Sequence, residues 1–162
     1  MRRTPRSRDS GSSDPPDAYT AALVLLGQRE LSEAQLRARL ARRGCDPDAI
    51  EHALGRLKQD RTLDDGRVAR AAARLEAAVR RRGPARVRQR LQAMGLAPEI
   101  VQQAVADTFD EVDASALLDA ALDRRLRGRA LADLDDRARA RLVRGLVGQG
   151  FSLGDVLKKV RA

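Results

Sequence analysis

Three glycines, Gly44, Gly95 and Gly150, mark an internal repeat that constrains the fold of this 162-residue chain. Apolar residues stand eight and four positions before each glycine and six and ten positions after it. The twelve positions are Leu36, Leu40, Ile50, Leu54, Val87, Leu91, Val101, Val105, Leu142, Leu146, Val156 and Val160. A four-residue apolar spacing is typical of one face of an α-helix, and glycine readily adopts the left-handed conformation that ends a helix. The repeat therefore predicts a helix, a tight turn and a second helix in each copy.

The residues that follow each glycine fit the start of that second helix. Asp46, Ala97 and Ser152 fall at its N-cap, where aspartate and serine are favoured and alanine is a poor choice. Pro47 and Pro98 fall at the first helical position, where a missing amide proton costs nothing. We therefore expect the second copy to fit the pattern less well than the first at its cap.

A further helix is predicted upstream of each pair. Asp17 can cap a helix from Ala18 to about Gln28, and Asp64 or Asp65 can cap a longer one that reaches about residue 82. The last of these upstream helices is expected over about residues 113–127. With aromatic residues at only 2% of the chain, the core must be built from Leu, Val and Ala, which favours packed helices over sheets.

The predicted fold is all-α: three tandem three-helix units in an elongated or curved array. The units are expected at residues 18–63, 64–111 and 112–162, and each is too small to be stable alone, so neighbouring units must pack on one another. Residues 1–17 form a polar tail rich in Pro, Ser and Gly, with no apolar stretch typical of a signal peptide. We expect this tail to be disordered.

The net charge of +9 is distributed unevenly along the chain. Residues 66–95 hold nine arginines and one acid and carry +8, residues 96–136 carry −6, and residues 137–162 carry +6. A biased genome composition could raise the total number of arginines, but it would not alternate the sign of charge in this way. The pattern favours contact with a polyanion or an acidic partner, with a simple solvated arginine face as the alternative.

A helical wheel at 100° per residue sorts the arginines of the long helix onto one side. Val68, Ala72, Leu75 and Val79 fall on the opposite side and are predicted to be buried. The candidate nucleic-acid or filament-binding residues are therefore Arg67, Arg70, Arg74 and Arg81, with Arg86 and Arg90 on the next helix and Arg137, Arg141 and Arg144 in the third unit. We expect charge reversal in the second unit to weaken binding with little change in stability.

The residues expected of an enzyme are scarce. Cys45 and His52 are the only cysteine and histidine, which argues against a metal cluster and favours a buried thiol and a surface imidazole over a catalytic pair. Adjacent Asp64 and Asp65 could bind a divalent cation, but a helix cap explains them more simply. We therefore predict no enzyme activity, no cofactor and no metal. No apolar run is long enough to span a membrane, and a cytoplasmic protein is expected.

Helix, glycine turn and helix also occur in DNA-reading proteins, where the second helix enters the major groove. The corresponding helix over residues 47–59 has a mixed face, with Asp48 and Glu51 beside Arg56 and Lys58, and would repel phosphates as it approached DNA. The chain has no Asn for adenine readout and few aromatic residues for base stacking. What remains is sequence-independent contact with a nucleic-acid backbone, or contact with a protein.

The sequence resembles the RecX family, small bacterial regulators of the RecA recombinase. The resemblance covers about residues 18–160 and rests on residues 31–36 (LSEAQL) leading to Leu40 and Gly44, on residues 63–65 (LDD) followed by Val68 and Ala69, and on residues 82–84 (RGP) leading through Val87 and Leu91 to Gly95. It departs from the family pattern at Val68, where an aromatic residue is usual.

The resemblance implies three tandem three-helix units and binding in the groove of the RecA filament on single-stranded DNA. The DNA would be contacted directly or through RecA. It implies inhibition of strand exchange, ATP hydrolysis and co-protease activity, by a protein that we expect to be a monomer. Two alternatives stay open: a general basic protein that binds DNA or RNA without sequence preference, and an enzyme with an unrecognised carboxylate site.

Overall fold

The structure, a computed structural model, describes residues 17–161, so the predicted disordered tail falls outside the described residues except for Asp17. The described chain contains nine α-helices and no strand, which confirms the predicted all-α fold. The helices are α1 (Ala18–Gln28), α2 (Glu33–Arg42), α3 (Pro47–Gln59), α4 (Asp65–Arg74), α5 (Pro84–Ala93), α6 (Pro98–Glu111), α7 (Ala114–Leu126), α8 (Asp136–Gly148) and α9 (Leu153–Arg161).

The three glycine turns form as predicted. Gly44, Gly95 and Gly150 have φ values of +78°, +73° and +97°, in the left-handed region that glycine adopts without steric cost. In each turn the glycine N–H donates to the carbonyl three residues earlier, which closes the end of the preceding helix. The chain then enters the next helix within three residues.

The predicted caps also explain where the helices begin. Ser32 and Gln35 form a capping box, in which each side chain accepts a hydrogen bond from the backbone N–H of the other residue. Asp17 and Asp64 accept backbone N–H bonds at the starts of α1 and α4. Ala97 makes no side-chain cap bond because alanine has no polar side-chain atom, and Pro98 alone marks the start of α6.

The nine helices form three units, each of which packs around its own apolar core. Unit 1 comprises α1–α3, unit 2 comprises α4–α6 and unit 3 comprises α7–α9. The twelve apolar repeat positions are all buried in these cores. The division into three tandem three-helix units is therefore confirmed, while the boundaries at 63/64 and 111/112 stay a prediction.

The two junctions between units share one geometry. At the first junction, the Ser32 hydroxyl at the start of α2 donates to the carbonyl of Met94, beside the Gly95 turn. At the second, the N–H of Gly83 at the start of α5 donates to the carbonyl of Gln149 at 2.9 Å, beside the Gly150 turn. The Gly95 and Gly150 turns therefore each pack against the N-terminus of the middle helix in the preceding unit.

The prediction of one regular helix from Asp64 to about residue 82 is wrong in its second half. From Leu75 to Val79 the helix adopts π geometry, and it ends at Arg80, whose N–H donates to the carbonyl of Leu75. The buried face also differs from the predicted one in the regular part of the helix, where Ala69 and Ala73 are fully buried and Ala72 is only partly buried. Leu75 and Val79, predicted to be buried, are 46% and 70% exposed, whereas Glu76 is only 5% exposed.

Candidate polyanion-binding surface

Arg67, the first arginine of the predicted stripe, has structural partners. Its guanidinium pairs with Glu30 of unit 1 at 3.0 Å, and its other nitrogens donate to the carbonyls of Arg61 and Thr62. These bonds tie the start of α4 to the end of unit 1. Arg67 therefore supports the first junction, and its charge is partly balanced.

The next two arginines of the stripe, Arg70 and Arg74, are exposed on α4. Arg74 pairs with Glu111 at 3.0 Å, but both side chains are about 60% exposed, so the pair is weak and a stronger anion can displace the carboxylate. Arg70 makes no ion pair within the described residues and lines a pocket of about 140 Å³ with Gln103 and Asp107. Of the two arginines, Arg70 is therefore the one whose charge is not balanced by an ion pair within the described residues.

Arg81 does not lie on the helical stripe where the wheel placed it. The helix has already ended, and Arg81 stands in the following turn with φ at +55°. Its side chain is exposed, but the backbone at this residue is not helical, so a helical wheel does not give the position of the side chain. The predicted alignment of Arg81 with Arg67, Arg70 and Arg74 is therefore wrong, although its role in binding stays a prediction.

A pocket of about 450 Å³ brings Arg86 and Arg90 together with Arg80 and Arg82, two arginines that the sequence analysis did not select. Buried Glu76 lies in the same pocket, 2.7 Å from Arg80 and 3.8 Å from Arg90. Four arginines and a single carboxylate line the pocket, which therefore keeps an excess of positive charge. Glu76 lies on the same buried side of the helix as Ala69 and Ala73.

Arg137, Arg141 and Arg144 are exposed on α8, as the predicted row requires. None of them has a carboxylate within ion-pair distance in the described part of the chain. Arg141 also lines a pocket beside the end of α7, together with arginines that were not selected from the sequence. The row therefore presents unbalanced positive charge in unit 3.

Asp64 and Asp65 have structural roles, in agreement with the predicted cap. The carboxylate of Asp64 accepts the N–H of Arg67 at 2.9 Å, and this bond lowers the pKa of Asp64 below its ordinary value. The Asp65 carboxylate accepts the N–H of Glu33 at 2.7 Å and so joins unit 2 to the start of α2. Burial raises the pKa of Asp65, since the charged form loses contact with water.

Unit 1 balances its own charges between α2 and α3. Arg37 bonds both Glu51 at 2.6 Å and Glu33 at 2.7 Å, and Lys58 lies 3.1 Å from Glu33. Burial disfavours the ionised form of Glu33, but hydrogen bonds from Arg37 and Lys58 outweigh it and lower the pKa of that carboxyl. Arg37 and Lys58 of unit 1 therefore have structural partners.

The only cysteine and histidine are not arranged as a catalytic pair. The Cys45 thiol is free and buried in the core of unit 1, and His52 is exposed on α3, as predicted. Among residues 17–161 no three His, Cys, Asp or Glu side chains are grouped so that they could hold a metal ion. No helix in this range is long and apolar enough to cross a membrane.

Proteins of similar sequence are regulatory proteins. A regulatory protein RecX of Syntrophotalea carbinolica is 39% identical over 137 residues, which cover 84% of this chain and 89% of the relative. A regulatory protein RecX of Thermus thermophilus is 41% identical over 145 residues, which cover 90% of this chain and 91% of the relative. The similarity therefore extends over nearly the whole length of both relatives.

Solved structures and family models lead to the same family as these relatives do. The crystal structure of RecX from Lactobacillus salivarius has the same fold, with a TM-score of 0.76 at 17% identity, over 89% of this chain and 94% of that one. The first three-helix domain of RecX matches residues 18–57, and the second matches residues 64–105. The chain therefore belongs to the RecX family of regulatory proteins.

Proposed function

We propose that the chain binds the RecA nucleoprotein filament on single-stranded DNA and limits its ATP hydrolysis, strand exchange and co-protease activity. It acts by binding rather than by catalysis, as a monomer in the cytoplasm. The observation that carries the proposal is the concentration of nine arginines and one acid in residues 66–95 of a chain in the RecX family. Such a surface fits a partner that carries regularly spaced negative charge.

The nine arginines of residues 66–95 divide into two groups. Four pair with carboxylates: Arg67 with Glu30, Arg74 with Glu111, and Arg80 and Arg90 with Glu76. The other five make no ion pair in the described chain, namely Arg70, Arg81, Arg82, Arg86 and Arg88. These five exposed or half-exposed side chains are the ones from which we expect most of the contact with phosphates or acidic side chains.

The aromatic residues support backbone contact rather than base stacking. The ring of Tyr19 is covered by the guanidinium of Arg56, which lies 3.9 Å from the ring centre. Phe151 is buried in the core of unit 3, and Phe109 packs against the core of unit 2. All three aromatic rings of the chain are thus occupied by intramolecular contacts. A strand would therefore be held through its phosphates, without sequence preference.

The dose and order of addition in a RecA ATPase assay test the proposal. Added to RecA already assembled on single-stranded DNA with ATP, the chain should lower ATP hydrolysis at less than one copy per RecA. A molecule that stops filament growth affects many subunits, whereas a simple competitor must cover the strand. If inhibition appears only when the chain is added before RecA, and scales with DNA length, the alternative of a general DNA- or RNA-binding protein is correct.

A pair of double variants locates the inhibitory surface. Arg82→Ser with Arg86→Ser removes two unpaired charges from unit 2 and should weaken inhibition. Arg42→Ser with Arg43→Ser removes the same charge from exposed positions at the end of α2, where neither side chain makes an ion pair in the described chain. This control should inhibit as the wild type does. Equal loss in both double variants would show that only net charge matters.

A further inference from the structure

A pocket in unit 3 is lined by five arginines and no carboxylate. It has a volume of about 500 Å³ and lies between the end of α7, the loop that follows and the face of α8. Its arginines are Arg124, Arg125, Arg127, Arg129 and Arg141. The first four are all the basic residues of residues 96–136, a stretch whose net charge is −6. The net charge of residues 96–136 therefore does not reveal the local concentration of positive charge in this pocket.

The positive charge of this pocket is not balanced by the described chain. None of its five arginines has a carboxylate within ion-pair distance among residues 17–161. Arg125 donates to the carbonyl of Gly145 at 3.0 Å, a bond that fixes its guanidinium without neutralising it. Gly145 leaves room for that guanidinium, because a Cβ at this position would lie 2.5 Å from its nearest nitrogen. Several like charges that line one pocket favour the binding of an anion there.

The lining of the pocket includes apolar side chains and one polar group without a hydrogen-bond partner in the described chain. Leu134 and Leu142 line it, and the side-chain oxygen of Gln149 is buried there without a hydrogen-bond partner. A half-turn of the Gln149 amide would present its NH2 group instead, so this residue can donate to an anion or accept from a ligand N–H or O–H. A buried amide without a partner is costly unless a ligand bonds it.

The backbone of the loop also favours a binding role. Arg127 ends α7 in the left-handed region at φ +51°, followed at once by Gly128 at φ +81°. Glycine would end the helix without the steric cost that arginine has in this conformation. With this backbone conformation, Arg127 lines the pocket together with Arg129.

We propose that this pocket of unit 3 is a binding site for phosphate groups, carried by a nucleic-acid strand or by a free polyphosphate. Several arginine forks match the geometry of phosphate oxygens, and a phosphate supplies more charge and more acceptors than a single carboxylate does. The site goes beyond the proposed action on RecA, because it requires neither RecA nor the arginines of unit 2.

Calorimetric titration with inorganic tripolyphosphate at low ionic strength tests the site without RecA. The wild type should bind, and Arg124→Ser with Arg129→Ser should weaken binding about tenfold or more, as expected from the loss of charge-assisted hydrogen bonds. The control Arg42→Ser with Arg43→Ser, equal in charge, should bind within about twofold of the wild type. All three proteins are compared at equal helical content, so that loss of folding is not mistaken for loss of binding.

A second titration with an oligothymidylate identifies the source of the phosphate. If a strand occupies the pocket, the pocket variant should lower the salt dependence by about 1.4 units of slope for two lost contacts. An unchanged slope with weakened tripolyphosphate binding assigns the site to a free polyphosphate. The proposal is wrong if the wild type does not bind tripolyphosphate, if both double variants lose binding equally, or if an oligoglutamate peptide binds the pocket more tightly.

Discussion

Substitution of Gly95 by alanine tests the junction between units 1 and 2. Gly95 and Gly44 both have positive φ, but their surroundings differ. A Cβ at residue 95 would lie 2.5 Å from the Cβ of Ala34, across the junction, whereas a Cβ at residue 44 would meet nothing within 4 Å. Gly44→Ala therefore measures the backbone cost alone, and Gly95→Ala measures that cost together with the clash.

The two costs can be estimated separately. A left-handed conformation costs an alanine about 1–2 kcal/mol, and alanine recovers about 0.4–1 kcal/mol by restricting the unfolded chain. Gly44→Ala should therefore lower the free energy of unfolding by about 1 kcal/mol. Gly95→Ala should lower it by a further 1–3 kcal/mol or so, because an added methyl group in a packed contact forces its neighbours to move.

A rescue variant distinguishes the clash from any other effect. Ala34→Gly removes the opposing methyl group and alone should cost up to about 1 kcal/mol in α2. Combined with Gly95→Ala, it should restore most of the additional loss and give a favourable coupling of about 1–2 kcal/mol. Urea unfolding followed by helical circular dichroism measures all four proteins. Equal losses for Gly44→Ala and Gly95→Ala, with no coupling to Ala34→Gly, would refute the assigned junction contact.

Two further predictions concern the start of α4. Arg67→Ala should lower the free energy of unfolding by about 1 kcal/mol because it removes bonds to Glu30 and to two carbonyls, whereas Arg70→Ala should leave urea unfolding unchanged. Burial raises the pKa of Asp65, so its contribution to stability is complete below the unfolded pKa and is lost as pH rises through the folded pKa. Asp65→Asn keeps an acceptor for the N–H of Glu33 without the buried charge. This variant should be at least as stable as the wild type at pH 7, with less advantage at low pH. Asp65→Ala removes the acceptor and should lower the free energy of unfolding by about 1 kcal/mol at either pH. Thermal unfolding across this pH range measures both Asp65 variants, and an Asn variant as unstable as the Ala variant would contradict the role assigned to the carboxylate.

Local chemistry accounts for how much of the fold could be predicted. A glycine between two apolar periodicities fixes both the end of one helix and the start of the next, so all three turns were located from sequence. The π segment was missed because nothing in residues 75–79 marks it: the apolar positions fit an ordinary helix as well. Which face of the helix is buried depends on tertiary contacts, and these bury Glu76 near Arg80 and Arg90 and leave Leu75 exposed.

The candidate site was predicted less completely, for a related reason. Segment charges identified residues 66–95 as strongly basic, but they could not show that Arg67 is held by carbonyl oxygens or that Arg80 and Arg82 join Arg86 in one pocket. The arginine pocket of unit 3 was missed because acidic residues nearby in sequence point elsewhere in space. Lys159, for example, holds Asp119 at 2.7 Å. Charge in a helical array is therefore best summed over surfaces rather than over sequence.

Binding of the chain to single-stranded DNA with and without RecA tests the central proposal most directly. The chain, labelled at its N-terminus, is sedimented with RecA filaments on a long single strand, and with the same strand uncoated, at physiological salt. We predict that filaments retain the chain at concentrations where the naked strand does not, and that Arg82→Ser with Arg86→Ser reduces this retention. Retention by the naked strand, with release of the chain as RecA coats the DNA, would contradict it.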